Sequence, residues 1–263
     1  MTNLKQILLI ILASTFVTAC DKDVNDPKET LEKATICAKW NVNNSSEYKS
    51  FEFNECGNYI VVKNTTAKST NKRVVLFGTY EIINANMLTL ADFGTLTISE
   101  VNESSISFSI NLTSDPENEF IINASKQDEI ESSTKTDLLC RTWEMVTENG
   151  VPVAGTKMEL TIMFSKAGTY FVSFANPDDE NEGGLAQWKW NNDEETQLLY
   201  SWEEVPNWEE EDYAEIPELT VNTLTIVQHG DTWVLQPVFN TKSAGIKSSE
   251  TSSLGIKSGF FKK

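Results

Sequence analysis

Few residues of this sequence could serve as nucleophiles, bases or zinc ligands. The chain has four cysteines and a single histidine, His229. Serine and cysteine nucleophiles usually need a neighbouring base, most often a histidine. His229 precedes Gly230 and Asp231, a sequence typical of a hairpin turn, which predicts an exposed loop residue. There is no CxxC pair and no phosphate-binding glycine motif, and we predict a protein that is not an enzyme and holds no cofactor.

The thiol of Cys20 lies at the end of a segment with the features of a signal peptide, where lipid modification of a cysteine can take place. Before it come Lys5, an apolar run from Ile7 to Val17, and two small residues. This layout is typical of a secretory signal peptide, and the apolar run is shorter than the roughly 20 residues that span a bilayer. Val17-Thr18-Ala19-Cys20 resembles the lipobox of bacterial lipoproteins, in which the cysteine is acylated and becomes the first residue. The alternative is an ordinary signal peptide that happens to end at a cysteine.

The lipobox resemblance implies that residues 1–19 are removed and that lipid such as palmitate on Cys20 attaches the chain to a membrane. Residues 20–33 are mostly polar and are predicted to form a tether. Asp21 and Asp23 resemble sorting signals that mean inner-membrane retention in some bacteria and surface export in others. We expect an exported, anchored protein, with the outer membrane or cell surface favoured over the inner membrane.

Acidic residues form the second group with possible chemistry. The net charge is −18, which argues against binding to nucleic acid or anionic lipid. Between Asp178 and Glu218 the only basic residue is Lys189. Two turn-like segments, 176–184 and 191–195, are rich in the oxygen ligands that Ca²⁺ takes, although neither has EF-hand spacing. The candidate calcium ligands are Asp178, Asp179, Glu180 and Asp193, and solvated loops are the alternative.

Aromatic residues alternate with acids over residues 202–213 (WEEVPNWEEEDY). Trp202, Trp208 and Tyr213 are candidate binding residues because aromatic side chains dominate binding hot spots. The alternative is that these rings fold back over the domain while the acids stay in water.

Short runs rich in β-branched and aromatic residues predict an all-β fold. Residues 157–164 alternate between apolar and polar, a turn follows, and 169–174 return as the partner strand. Further strands are predicted at 74–82, 87–90, 95–101, 106–112, 120–123, 185–190, 197–202, 218–227 and 232–239.

The chain contains an internal repeat. Three motifs of the first half return in the same order in the second half: ICAKW as LCRTW, FNECGNY as FSKAGTY, and GTY as AQW. The repeat predicts two β-domains at 34–125 and 137–240, with a linker at 126–136 and a loose tail at 241–263. About eight antiparallel strands in each domain predict two tandem small barrels.

Three cysteines follow Cys20, namely Cys37, Cys56 and Cys140, and an odd number cannot all pair within one chain. A Cys37–Cys56 disulfide and buried thiols are both compatible with export.

At the repeat motifs the chain resembles the lipocalin-like domains of bacterial lipoproteins. The family pattern has a hydrophobic-x-Gly-x-Trp opening, a Phe-turn-Gly-Thr-Tyr hairpin and a Gly-x-aromatic strand. Arg141 and Ala38 stand where glycine is usual in the opening, and Ala186 replaces the glycine of the third element. The resemblance implies eight-stranded barrels whose opening tryptophans, Trp40 and Trp143, are structural plugs.

Two functions are compatible with the sequence. The first is a non-catalytic binding module that holds a small apolar ligand inside a barrel. The second is an envelope interaction protein with filled barrels, which contacts a protein partner through the acidic aromatic loop 202–213. The expected partners are thus the membrane, through lipid on Cys20, and a small hydrophobic ligand or a protein.

Overall fold

The computed structural model of the chain describes residues 31–45, 47–64, 73–175, 183–238 and 249–253, the last of these by backbone alone. The predicted signal peptide, Cys20, and the calcium candidates Asp178, Asp179 and Glu180 lie outside these residues. Neither of the two helices in the described part is long and apolar enough to cross a bilayer.

The first half of the chain forms an antiparallel barrel of eight strands, called barrel 1. Each strand pairs with its neighbour in sequence, and β1 closes the barrel by pairing with β8. Its elements are α1 (Lys33–Ile36), β1 (Lys39–Val42), β2 (Tyr48–Phe53), β3 (Asn58–Lys63), β4 (Arg73–Ile82), β5 (Met87–Leu90), β6 (Gly94–Val101), β7 (Ser105–Leu112) and β8 (Asp115–Lys126).

The second half repeats this architecture as barrel 2. Here β17 closes the barrel on β9, and the two-residue β10 pairs with the end of β9 outside the ring. Its elements are α2 (Thr134–Leu139), β9 (Thr142–Glu148), β10 (Val151–Pro152), β11 (Leu160–Phe164), β12 (Thr169–Phe174), β13 (Gly184–Trp190), β14 (Gln197–Ser201), β15 (Tyr213–Leu219), β16 (Leu224–Gln228) and β17 (Asp231–Pro237). The prediction of two tandem all-β barrels is confirmed.

Alternating residue types explain why these segments are strands with one face inward. In β7 the four apolar residues are buried and the serines and asparagine between them are partly exposed. Successive side chains of a strand point to opposite faces, so the alternation buries one face in the barrel and leaves the other outside.

Three segments differ from the sequence-based predictions. Residues 218–227 are not one strand, because Thr220 N donates to Thr223 O in a turn that separates β15 from β16. Helix α2 begins inside the predicted linker, where the Ser133 hydroxyl accepts from Thr136 N at its N-terminus. Residues 249–253, which the sequence assigns to the loose tail, form β18 and pair with the first half of β4.

The repeat is preserved in hydrogen bonds as well as in strands. Nε1 of Trp40 donates to Ile36 O at 2.9 Å, and Nε1 of Trp143 donates to Leu139 O at the same distance. Both indole rings are fully buried, with 1% and 0% of their surface exposed. Each tryptophan therefore fixes the short helix before it to the closed end of its barrel, in agreement with the predicted structural role.

The hairpin and the glycine-x-aromatic strand also correspond in the two barrels. Tyr80 Oη donates to Asn54 O at 2.8 Å, and at the equivalent place Trp188 Nε1 donates to Ser165 O at 2.9 Å. The hairpin glycines both have positive φ, 83° at Gly57 and 74° at Gly168, a conformation that glycine adopts readily.

Gly78 is required by the ring that covers it. A Cβ at this position would lie 2.7 Å from Cε1 of Tyr59. The ring cannot easily move away, because the Tyr59 hydroxyl donates a hydrogen bond to Ala91 O at 2.7 Å. We expect Gly78→Ala to displace this ring and to destabilise the protein by about 1–3 kcal/mol. In a Tyr59→Leu background the same change should cost little, and urea unfolding of the four proteins measures the difference. Equal costs in both backgrounds would contradict the contact.

The two barrels pack side by side through the outer faces of β3 and β4 and of β11 to β13. Phe77 and Phe171 form the centre of this interface, with ring centroids 4.6 Å apart. The repeat alignment makes Ile60 equivalent to Phe171 and Phe77 equivalent to Leu185. The barrels therefore meet through equivalent surfaces, as the subunits of a two-fold symmetric dimer do. The buried apolar residues of the interface are Ile60, Val62, Val75, Phe77, Met163, Phe171 and Leu185.

Candidate functional site

The interior of each barrel is the first candidate site, and aromatic rings occupy it. In barrel 1 the ring centroid of Phe51 lies 5.1 Å from that of Phe108 and 5.3 Å from that of Tyr48. In barrel 2 the ring of Phe164 stacks on Tyr170 at 4.9 Å and meets Trp188 edge-on at 5.6 Å. All of these side chains are buried. The described interior of each barrel is therefore occupied by a cluster of the chain's own buried side chains.

The cysteines of the described residues are present as thiols, and the Cys37–Cys56 disulfide is not formed. Cys37 Sγ lies 3.5 Å from Tyr80 Oη. Burial raises the pKa of the Cys37 thiol, and it raises the pKa of the Cys140 thiol to about 12. Both groups are therefore protonated at neutral pH and are poor nucleophiles.

The 191–195 turn, which contains the calcium candidate Asp193, contacts the start of α2. The Glu195 carboxylate accepts from the Ser133 hydroxyl at 2.5 Å, and Lys135 Nζ donates to Glu194 O at 2.7 Å. Asp193 is exposed. Within the described residues no three His, Cys, Asp or Glu side chains are placed to hold a metal ion.

His229 lies at the turn between β16 and β17, in agreement with the sequence-based prediction. Its φ is 53° and that of Gly230 is 91°, the positive pair that a tight hairpin turn needs. The imidazole is exposed, and its Nε2 lies 3.6 Å from Asp212 Oδ2 at the end of the acidic loop.

Both ends of the acidic aromatic loop 202–213 are fixed to the barrel. The ring of Trp202 folds back over the core, with its centroid 5.6 Å from that of Tyr170. Ser201 Oγ donates to the Glu211 carboxylate at 2.6 Å, which joins the two ends of the loop. The loop also reaches barrel 1 through an ion pair between Glu204 and Lys49.

The three candidate binding aromatics therefore have different environments. Trp202 packs against the core of barrel 2. Trp208 is half-buried, with Lys189 Nζ 5.0 Å from its ring centroid. Tyr213 remains 45% exposed, and Val205, which the sequence analysis did not single out, is 84% exposed. The exposed acids of the loop are Glu203, Glu204, Glu209, Glu210 and Asp212.

The loop thus presents a surface of one charge sign around two exposed apolar groups. The loop has no cysteine, serine, histidine or lysine of its own, so it lacks the usual nucleophiles. Carboxylates beside an exposed tyrosine and valine suit contact with a basic, partly apolar surface.

Comparison with known proteins adds no relative from which a function could be transferred. No family model matches the chain, and no curated protein matches it. One solved structure that it resembles weakly is the DNA polymerase III beta chain of Streptococcus pneumoniae TIGR4, at 11% identity and a TM-score of 0.15. The match covers 82% of this chain and 62% of that chain, so this chain spans less than two thirds of its length. A likeness at this level carries no argument about fold or function.

Proposed function

We propose that the chain is a lipid-anchored, non-catalytic interaction protein of the bacterial envelope, held at the outer membrane or cell surface, which contacts a basic protein partner through loop 202–213. The observation that carries this proposal is the contrast between filled barrel interiors and the exposed acidic loop. A filled barrel leaves binding to the outside of the fold, and the loop is a prominent charged feature there.

The charge of the loop makes its contact dependent on salt. Exposed charges are screened over about 8 Å at physiological ionic strength, so a contact carried by Glu203, Glu209, Glu210 and Asp212 weakens as salt rises. The exposed side chains of Val205 and Tyr213 would supply the apolar part of the contact. Acidic charge of this kind increases association rate and selects against acidic partners.

Photo-crosslinking in isolated envelopes tests this contact. A crosslinking residue at Val205 is expected to give a discrete adduct that is lost in about 0.5 M salt, where the screening length is only a few ångströms. Ile121, in β8, is the matched control because it is also an exposed apolar residue. Its exposed fraction is 67%, and that of Val205 is 84%. Adducts of the same size and yield from both positions would contradict a specific contact.

A charge variant separates the loop from the total charge of the protein. Changing Glu203, Glu209, Glu210 and Asp212 to their amides should reduce the Val205 adduct at least tenfold. Changing four exposed acids of barrel 1, Glu100, Glu103, Glu117 and Glu119, removes the same charge and should leave the adduct unchanged. Equal losses in the two variants would mean that only net charge matters.

The lipid anchor depends on the thiol of Cys20. We expect Cys20→Ser to abolish incorporation of labelled palmitate and to move the protein from the detergent phase to the aqueous phase. Each buried methylene of an acyl chain contributes about 0.8 kcal/mol to membrane binding, so loss of several chains is decisive. Cys140→Ser is the control and should remain anchored. A Cys20→Ser protein that stays in the detergent phase would contradict the anchor.

The competing proposal, a small apolar ligand inside a barrel, requires interior space. The close ring contacts among Phe51, Phe108, Phe164, Tyr170 and Trp188 favour the interaction protein over this alternative. The two proposals differ in a direct measurement, since only the second predicts saturable binding of an uncharged apolar ligand.

A further inference from the structure

A cleft of about 690 Å³ lies between the two barrels, at the ends closed by Trp40 and Trp143. Equivalent parts of the two repeats line it, namely the segments before β1 and β9 and the hairpins that follow β2 and β11. The cleft therefore lies along the pseudo-two-fold relation of the barrels. Its volume is within the range of about 300–1,000 Å³ found for small-molecule sites.

Glu52 is a buried carboxylate that lines this cleft. Its side chain is on the outer face of β2, and the packing of barrel 2 leaves it only 3% exposed. Oε2 accepts a hydrogen bond from Thr169 Oγ1 at 2.6 Å. Oε1 is buried and has no hydrogen-bond partner among the described residues. A buried carboxylate oxygen without a hydrogen-bond partner is stabilised by any donor that reaches it, most strongly by a cation.

The basic side chains around the cleft are already engaged. Lys126 Nζ pairs with Glu129 at 2.8 Å, and Lys166 Nζ pairs with Asp137 at 2.7 Å. Arg141 lies over the ring of Trp143, with its Cζ 5.5 Å from the ring centroid. Lys39, the cross-strand neighbour of Glu52, directs its Nζ to Thr169 Oγ1 at 3.4 Å. None of these contacts supplies a hydrogen bond to Oε1 of Glu52.

The rest of the cleft offers apolar surface as well as charge. Its apolar lining residues come from both barrels and are Ala38, Phe53, Phe164, Ala167, Pro237 and Val238. A water molecule could donate a hydrogen bond to Glu52 Oε1, but the apolar lining of the cleft would then remain exposed to solvent. A molecule with both a cationic donor and an apolar body fits the two features together.

We propose that the cleft between the barrels binds a small organic amine, whose protonated nitrogen donates to Glu52 Oε1 and whose apolar portion packs on the lining residues from both barrels. The site is separate from loop 202–213, and it exists only when the two repeats are packed together.

Calorimetric titration of the full chain carrying Cys20→Ser tests the site, with phenethylamine, octylamine and spermidine as cationic probes. The neutral and anionic counterparts are 2-phenylethanol, 1-octanol and phenylacetate. We expect saturable binding of at least one amine at one site per chain and at least tenfold weaker binding of its uncharged or anionic counterpart. Absence of saturable binding by all three amines up to 10 mM would overturn the proposal and leave water as the partner of Oε1.

Two variants locate the binding to the cleft. Glu52→Gln keeps the size of the side chain and is expected to weaken the amine at least tenfold, while Glu119→Gln, an exposed acid of barrel 1, leaves the affinity unchanged. Val238→Trp fills the cleft while Glu52 itself is unchanged, and it should also abolish binding. Circular dichroism shows that each variant is folded. Unchanged affinity in both Glu52→Gln and Val238→Trp would overturn the site.

Discussion

Replacement of Trp143 by alanine is expected to lower the free energy of unfolding by about 3–5 kcal/mol, the range observed when a large buried aromatic is truncated. The indole is fully buried in the core of barrel 2 and packs at the end of the barrel closed by α2. Its Nε1 also satisfies Leu139 O, a carbonyl at the C-terminus of that helix. The change removes the packing and one of the two hydrogen bonds that Leu139 O accepts, the other coming from Arg141 N. Urea denaturation followed by circular dichroism measures the loss.

Trp143→Phe separates the two contributions. It keeps a ring in the core and removes the indole hydrogen bond, so a smaller loss of about 1–3 kcal/mol is expected. Trp40→Ala should have an effect similar to that of Trp143→Ala, because the equivalent contact to Ile36 O is present in barrel 1. A Trp143→Ala protein with an unchanged unfolding midpoint would show that the tryptophan does not close the barrel.

Replacement of Phe171 by aspartate is expected to uncouple the two barrels. The ring packs on Phe77 at 4.6 Å between centroids and is 1% exposed, within a cluster formed by residues from both barrels. Aspartate removes this apolar contact and places an unpaired charge in the interface, at a cost of about 3–5 kcal/mol or more. We expect one cooperative thermal transition in the wild type and two transitions in the variant.

Ile121→Asp provides the control for the interface. Ile121 is an apolar strand residue with 67% of its surface exposed, so aspartate there should change stability by less than about 0.5 kcal/mol and keep a single transition. If Phe171→Asp also unfolded in one transition at the wild-type temperature, the barrels would not depend on this contact.

The barrels themselves could be predicted because their signals are local. Alternation in 157–164, the turn with Gly168 and the return strand to Phe174 specify a hairpin without reference to the rest of the chain. The ordered repeat then extended that hairpin to a second domain. Short elements such as α2 were not predicted, because a six-residue helix has too few turns for a periodic pattern.

The association of the barrels was not predicted, although a signal for it was present. Residues 59–62 (YIVV) and 74–77 (VVLF) are uninterrupted apolar runs, and a strand with one wet face would alternate. Both faces of β3 are in fact buried, the inner one by barrel 1 and the outer one by barrel 2. Read in this way, the runs indicate an apolar partner surface, but they do not identify which strands supply it.

The candidate sites were predictable to different degrees. Loop 202–213 lies between β14 and β15, where copy one has a short turn between β5 and β6. The environments of its aromatic side chains could not be predicted. Trp202 packs on Tyr170, which is distant in sequence, and no local pattern encodes that contact. Glu52 was missed for the same kind of reason, since an acid between Phe51 and Phe53 has the pattern of a solvent-exposed residue until a second barrel covers it.

A fluorescence titration with retinol tests most directly the central claim that the barrels are filled and that binding takes place outside them. Retinol is uncharged and apolar, and it would quench the buried tryptophans Trp40, Trp143 and Trp188 if it entered a barrel. With the full chain carrying Cys20→Ser, we expect no saturable quenching. Saturation at one or two retinol molecules per chain, lost when the lining of a barrel is changed, would contradict the filled interior and support a ligand carrier instead.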